Sequence, residues 1–254
     1  MRDVRGTGPE TDSPSALDVL FDIRIARRTL FAAGAMTNLA RTLLITLLPG
    51  LILTGCTTGA GGSVTSTGVP VNSAILPPNV HGRLVTRTMQ PTYITIHSTE
   101  NRGATASNHA QLLLRKGIRS RNNPRFGRSG WVTWHYTVDD RGAWQHLLPT
   151  EQGDHADYGG PGDRSSIGIE ICEFRNKARQ TQAIDNAAHL TASLADRFGI
   201  PSSGIVPHHH WPRWDFHNGK PCPRILLDRD RRAPGGWREG ARWADFVRLV
   251  DRYR

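Results

Sequence analysis

Apolar and polar positions in the second two thirds of the chain alternate between two periods. The stretch 92-TYITIH-97 interleaves β-branched and aromatic side chains and predicts a strand. Residues 105–116 carry helical spacing and stop at Gly117, a residue suited to ending a helix. A basic loop, 118–130, leads to two more predicted strands, 132–140 and 143–148, flanking the hairpin signal at Arg141-Gly142. A Gly- and Asp-rich loop spans about 151–164, and the apolar run 167-IGIEIC-172 predicts a strand whose one charge is Glu170. Helical spacing returns over 178–198, closed by Gly199-Ile200-Pro201. It returns again over 241–254, where Trp243, Phe246, Val247 and Val250 share a face. Strands and helices interleave, with at least one hairpin and no internal repeat. The pattern predicts an α/β domain in which helices flank a central mixed β-sheet.

The first 80 residues read differently. Leu43–Leu53 is an apolar run behind Arg41, too short to span a bilayer and the right length for a signal peptide. It ends in Leu53-Thr54-Gly55-Cys56, which resembles the lipobox of bacterial lipoproteins. That resemblance implies a signal peptide over 36–55 and a mature chain whose first residue, Cys56, is lipidated. Residues 1–35 are polar and charged, have no apolar run of signal length and precede Met36, so they are expected to be an upstream extension. Residues 57–79 lack charge and are rich in Gly, Ser, Thr and Pro, which predicts a flexible tether over 56–80 and a folded domain over 81–254.

Composition narrows the picture less. The chain has 32 Lys and Arg against 22 Asp and Glu. Residues 1–55 hold six of the arginines and five of the acids, so the excess belongs to the rest. A basic surface suits nucleic acid, an anionic membrane face or an anionic wall polymer, without choosing among them. Three cysteines, Cys56, Cys172 and Cys222, are too few for a disulfide framework.

Candidate chemistry concentrates in a few places. His97 ends a strand, a frequent ligand position in α/β folds, though a histidine there can also simply cap the strand. Glu170 sits between Ile169 and Ile171, where a carboxylate needs either a cationic partner or a cleft. The stretch 208-HHHWPRWDFHNGKPC-222 packs four histidines and a cysteine together. Cys and His are zinc ligands, but one ion takes only some of them. Gly219, Pro221 and Pro223 restrict the loop around Cys222, and Lys220 is placed to favour a thiolate or face an oxyanion.

Taken together, 92-TYITIHST-99, 134-WHYTVDDRGAWQHLLPTEQGDHADYGG-160, 165-SSIGIEICE-173, 206-VPHHHW-211 and 219-GKPCPRIL-226 resemble the zinc-dependent N-acetylmuramoyl-L-alanine amidases. These share a fold with the peptidoglycan recognition proteins and phage lysozyme-type amidases. The resemblance covers about residues 85–250. It implies that fold, zinc (Zn2+) held by His97, His208 and Cys222, Glu170 and Lys220 as catalytic residues, and His155 at the cleft as a substrate-binding or auxiliary residue. Two departures stand out. Asp154-His155-Ala156-Asp157 replaces the usual Trp-His-Ala-Gly, and Cys222 follows His208 by fourteen positions, a longer spacing than is usual. The surplus, about 212–217, leaves the histidine register open between His208 and His210. His209, His210 and His217 are expected not to be ligands, and Cys172 to be a small buried hydrophobe.

The resemblance implies hydrolysis of the amide between N-acetylmuramic acid and L-alanine in peptidoglycan or muropeptides. The lipobox-like ending implies a chain held by lipid to the outer membrane and facing the periplasm, and the protein is expected to be a monomer with no nucleic-acid partner. The alternative is a noncatalytic peptidoglycan-binding module of the same fold, against which Cys222, Lys220 and Glu170 stand together. A nucleic-acid-binding reading rests on charge alone and leaves the His/Cys set unexplained.

Overall fold

The computed structural model describes residues 63–120, 130–212 and 219–254. The proposed extension, signal peptide and lipidated Cys56 lie outside the described residues, as does His217. In chain order the elements are β1 (Ser63–Val64), β2 (Pro70–Ser73), β3 (Tyr93–Ser98), α1 (Ala106–Arg115), β4 (Ile118–Arg119), β5 (Trp131–Val132), β6 (Tyr136–Asp139) and β7 (Gly142–Gln145). They continue with α2 (Pro161–Ser165), β8 (Ser166–Ile171), α3 (Lys177–Phe198), β9 (Ile205–Pro207), β10 (Asp228–Arg229), β11 (Trp237–Arg238) and α4 (Ala241–Arg252).

Seven strands form one mixed sheet in the order β1-β2-β7-β6-β8-β3-β9. The hairpin pairs β6 with β7 antiparallel, while β6, β8, β3 and β9 run parallel. Side chains alternate between sheet faces, and the register sorts them. Ile94, Ile96, Ile167, Ile169, Ile171 and Val138 belong to the main core, beneath Ala183, Ala187, Leu190 and Leu194 of α3 and Trp243, Phe246 and Val250 of α4. The intervening positions pair Thr95 with Gly168, and His97 with Glu170 beside Thr137. One face is therefore apolar and roofed by helices, and the other carries the polar side chains. A second, smaller core of Leu76, Leu113, Trp134 and Leu147 seats α1.

The expected helices and the strands over 92–97 and 167–172 form within a residue or two of their predicted bounds, whereas the strand expected over 132–140 is split into Trp131–Val132 and Tyr136–Asp139 and that over 143–148 ends at Gln145. The hairpin turn is Asp140-Arg141, one position earlier than expected, because Gly142 pairs with Asp139 and the Arg141 N–H donates to Asp139 Oδ1 (2.8 Å). Residues 63–80 depart further from expectation: they are not a free tether. β2 lies parallel to β7, and Val69, Val71, Ala74 and Leu76 are buried. The N–H groups of Ala74 and Leu76 donate to Gln145 and His146 carbonyls (2.8 and 3.0 Å). Among the described residues no helix is long and apolar enough to cross a membrane.

Candidate metal centre

Parallel pairing brings the candidate residues to one edge. β3 and β8 end together, with His97 directly across from Glu170. On the other side of β3, Pro207 pairs with Ile96, so His208, the first residue of a short 3-10 turn after β9, arrives beside His97. The two imidazole centroids are 4.4 Å apart. Cys222 comes from a loop whose carbonyl accepts the His209 N–H (2.9 Å), while the Ser98 N–H donates to its Sγ (3.4 Å). Gly219 makes this loop possible: its φ is +77°, and a Cβ there would sit 1.9 Å from the His209 carbonyl oxygen. The three side chains thus meet at the carboxyl ends of parallel strands, the usual ligand position in such sheets.

One donor atom from each of His97, His208 and Cys222 lies within 4.8 Å of the others, and all three residues are buried. Two imidazoles and a thiol are a donor set that zinc accepts. Burial pushes the Cys222 thiol up to about 12, against the pull of Lys220, so this pocket keeps a proton on sulfur unless a cation replaces it. A divalent ion supplies that charge, and the donor chemistry fits it.

Glu170 lies beside this trio, its Oε1 4.0 Å from His97 Nδ1. Burial raises its carboxyl to about 8, with Lys220 pulling the other way and Glu100 and Glu173 adding to the rise. Its Oε2 is buried and has no hydrogen-bond partner among the described residues. Lys220 places Nζ 3.3 Å from Glu100 Oε2. Burial pulls its ammonium down, but the charges of Cys222, Glu100 and Glu170 outweigh that and hold it above the usual lysine range.

His155 stands beside His97, enclosed by the protein. It is only 7% exposed, and its ring lies against Gly168, whose hypothetical Cβ would sit 2.9 Å from three ring atoms. Its Nδ1 is 3.0 Å from His97 Nε2 and its Nε2 is 3.2 Å from the Ser166 carbonyl. A buried ring engaged on both nitrogens offers no surface to a substrate. Of the register alternatives, the structure brings in His208; His210 is exposed and packs against Tyr93 and Trp211. Cys172 is a free thiol in the main core. Glu100 and Asp163 went unnoticed in the sequence. Glu100 follows the strand-end His-Ser-Thr directly and takes a left-handed φ of 49°, but no spacing pattern singled it out.

A mixed α/β sheet thus gathers, at its carboxyl edge, two imidazoles and a thiol that could hold one metal ion, with a carboxylate beside them. The profile of the N-acetylmuramoyl-L-alanine amidase family matches residues 87–225, over half of the chain. The chain belongs to that family. It is 42% identical over 144 residues to N-acetylmuramoyl-L-alanine amidase CwlH of Bacillus subtilis (strain 168), a match covering 55% of this chain and 50% of CwlH. The chain thus spans about half the length of the curated relatives it matches. Among solved structures, a mutant endolysin from Bacillus subtilis is 35% identical with a TM-score of 0.54, covering 72% of this chain and 99% of that one. The catalytic domain of XlyA is 34% identical with a TM-score of 0.52, covering 71% and 98%. The predicted fold, a helix-flanked mixed sheet of the amidase kind, is the one found.

Proposed function

We propose that the protein is a zinc-dependent N-acetylmuramoyl-L-alanine amidase acting on peptidoglycan or muropeptides. The observation that carries this reading is the convergence of His97, His208 and Cys222 beside Glu170 in a chain of this family. Bound zinc supplies a Lewis acid that polarises a carbonyl and acidifies water. The chain's own residues do the rest. Glu170, with one buried carboxylate oxygen uncommitted, takes a proton as the lactyl amide is attacked and returns it to the leaving L-alanine nitrogen. Lys220 donates to the carbonyl oxygen as charge develops there. Burial keeps bulk water from competing with either transfer. The products are a sugar or glycan strand and a stem peptide with a free amino terminus.

The basic surface suits acidic stem peptides, and the Leu53–Cys56 ending supports a lipid anchor in the cell envelope. Two variants test the assignment. Glu170→Gln is expected to keep zinc while stem-peptide release falls about 10²–10⁴-fold. Cys222→Ser is expected to lose both. Full zinc occupancy in Cys222→Ser, or near-normal turnover in Glu170→Gln, would reject these roles.

A further inference from the structure

We propose that His155 and Ala156 form a two-armed clamp that fixes the tautomer and aim of both histidine ligands, with Asp163 as its lock. His155 is on this view a positioning residue, and the inference rests on the metal-centre reading above. The first arm is a hydrogen-bond chain with one direction. The Ser166 carbonyl can only accept, so His155 Nε2 donates to it (3.2 Å). His155 Nδ1 then holds a lone pair and accepts from His97 Nε2–H (3.0 Å). That leaves the lone pair of His97 on Nδ1, the nitrogen that faces Glu170 at 4.0 Å. The second arm is the next residue. The Ala156 carbonyl accepts from His208 Nε2–H (2.9 Å), which puts that ring's lone pair on Nδ1 as well.

The clamp is held at its base. Asp163, 1% exposed, accepts the N–H groups of His155 and Ala156 on Oδ1 (2.8 and 2.7 Å) and of Gly159 on Oδ2 (2.6 Å). Asp157 holds Asp163 in turn, accepting the N–H groups of Gly162 and Asp163 (2.8 and 3.0 Å). The clamp also has a seat, since Gly168 leaves the space that the His155 ring fills. Two histidines, one on β3 and one in the turn after β9, are thus oriented by one dipeptide. Outer partners of this kind typically change metal affinity by about 10–100-fold when removed.

The test separates the acceptor at the Nδ1 position from mere packing. In His155→Asn the shorter amide keeps an acceptor near that position. In His155→Gln the longer amide reaches towards Ser166 but loses the acceptor. Zinc affinity is measured by competition with a chromophoric chelator, and ring N–H protons of zinc-loaded protein are observed by NMR. The expected result is a 10–100-fold weaker affinity and loss of the hydrogen-bonded His97 N–H signal in His155→Gln, with most of both retained in His155→Asn. Equal behaviour of the two variants, whether unaffected or equally weakened, would overturn the clamp. Absence of zinc binding by the unaltered protein would instead overturn the metal-centre reading.

Discussion

His109 gives the sharpest prediction about stability. It lies on α1 facing Trp134, is buried, and has neither ring nitrogen hydrogen-bonded among the described residues. Burial lowers its pKa from 6.5 to about 4. The sign follows directly. The folded state holds the ring neutral and the unfolded chain protonates it more readily, so stability is full above about 6.5 and falls as pH drops towards 4. At pH 5 the unfolded ring is almost wholly protonated and the folded one about a tenth so, a difference of about 2 kcal/mol. The perturbation is His109→Leu, which removes the titration and two unsatisfied nitrogens while keeping a side chain of similar bulk. At pH 8 the variant should match or exceed the unaltered protein by about 1 kcal/mol. At pH 5 that advantage should grow by about 2 kcal/mol. Urea unfolding followed by tryptophan fluorescence at both pH values measures this, with metal removed by chelator throughout so that ligand protonation does not intrude. Parallel loss of stability in both proteins between pH 8 and 5 would refute the reasoning.

Other expectations follow from the packing. A chain beginning at His81 loses Val69, Val71, Ala74 and Leu76 from the core and should be less stable by about 5 kcal/mol or fail to fold, read by urea unfolding. Leu113→Ala opens a cavity in the core beneath α1 and should cost about 2–5 kcal/mol in the same assay. Gly168→Ala drives a Cβ into the His155 ring and should weaken zinc binding by about tenfold or more, measured by chelator competition, without touching a ligand.

Much of this architecture was legible because the central elements announce themselves locally. The alternation in Tyr93–His97, the apolar run of β8 and the glycine stops of α1 and α3 each carry their own signal. β9 was invisible because three residues are too few to show a period, and Pro70–Ser73 because a segment rich in Gly, Ser, Thr and Pro reads as a linker. In both cases the sheet edge supplies the order that the segment lacks by itself. His97, His208, Cys222 and Glu170 were legible through local motifs, and parallel register explains why chain segments so far apart in sequence meet. The contact of His155 with His97 was not legible, because it is set by Gly168 and Asp163, which no linear spacing reveals. Glu100 was missed for the same reason: its pairing with Lys220 depends on how two loops approach.

The central claim is the bond that is cleaved. Purified sacculi digested with the protein, with chelator-treated and Glu170→Gln controls, are separated and their products weighed by mass spectrometry. The expected products are intact stem peptides bearing a free L-alanine amine and unbroken glycan strands, formed only by the zinc-loaded, unaltered protein. Cleavage of glycosidic bonds, or undiminished release after zinc removal, would contradict the claim.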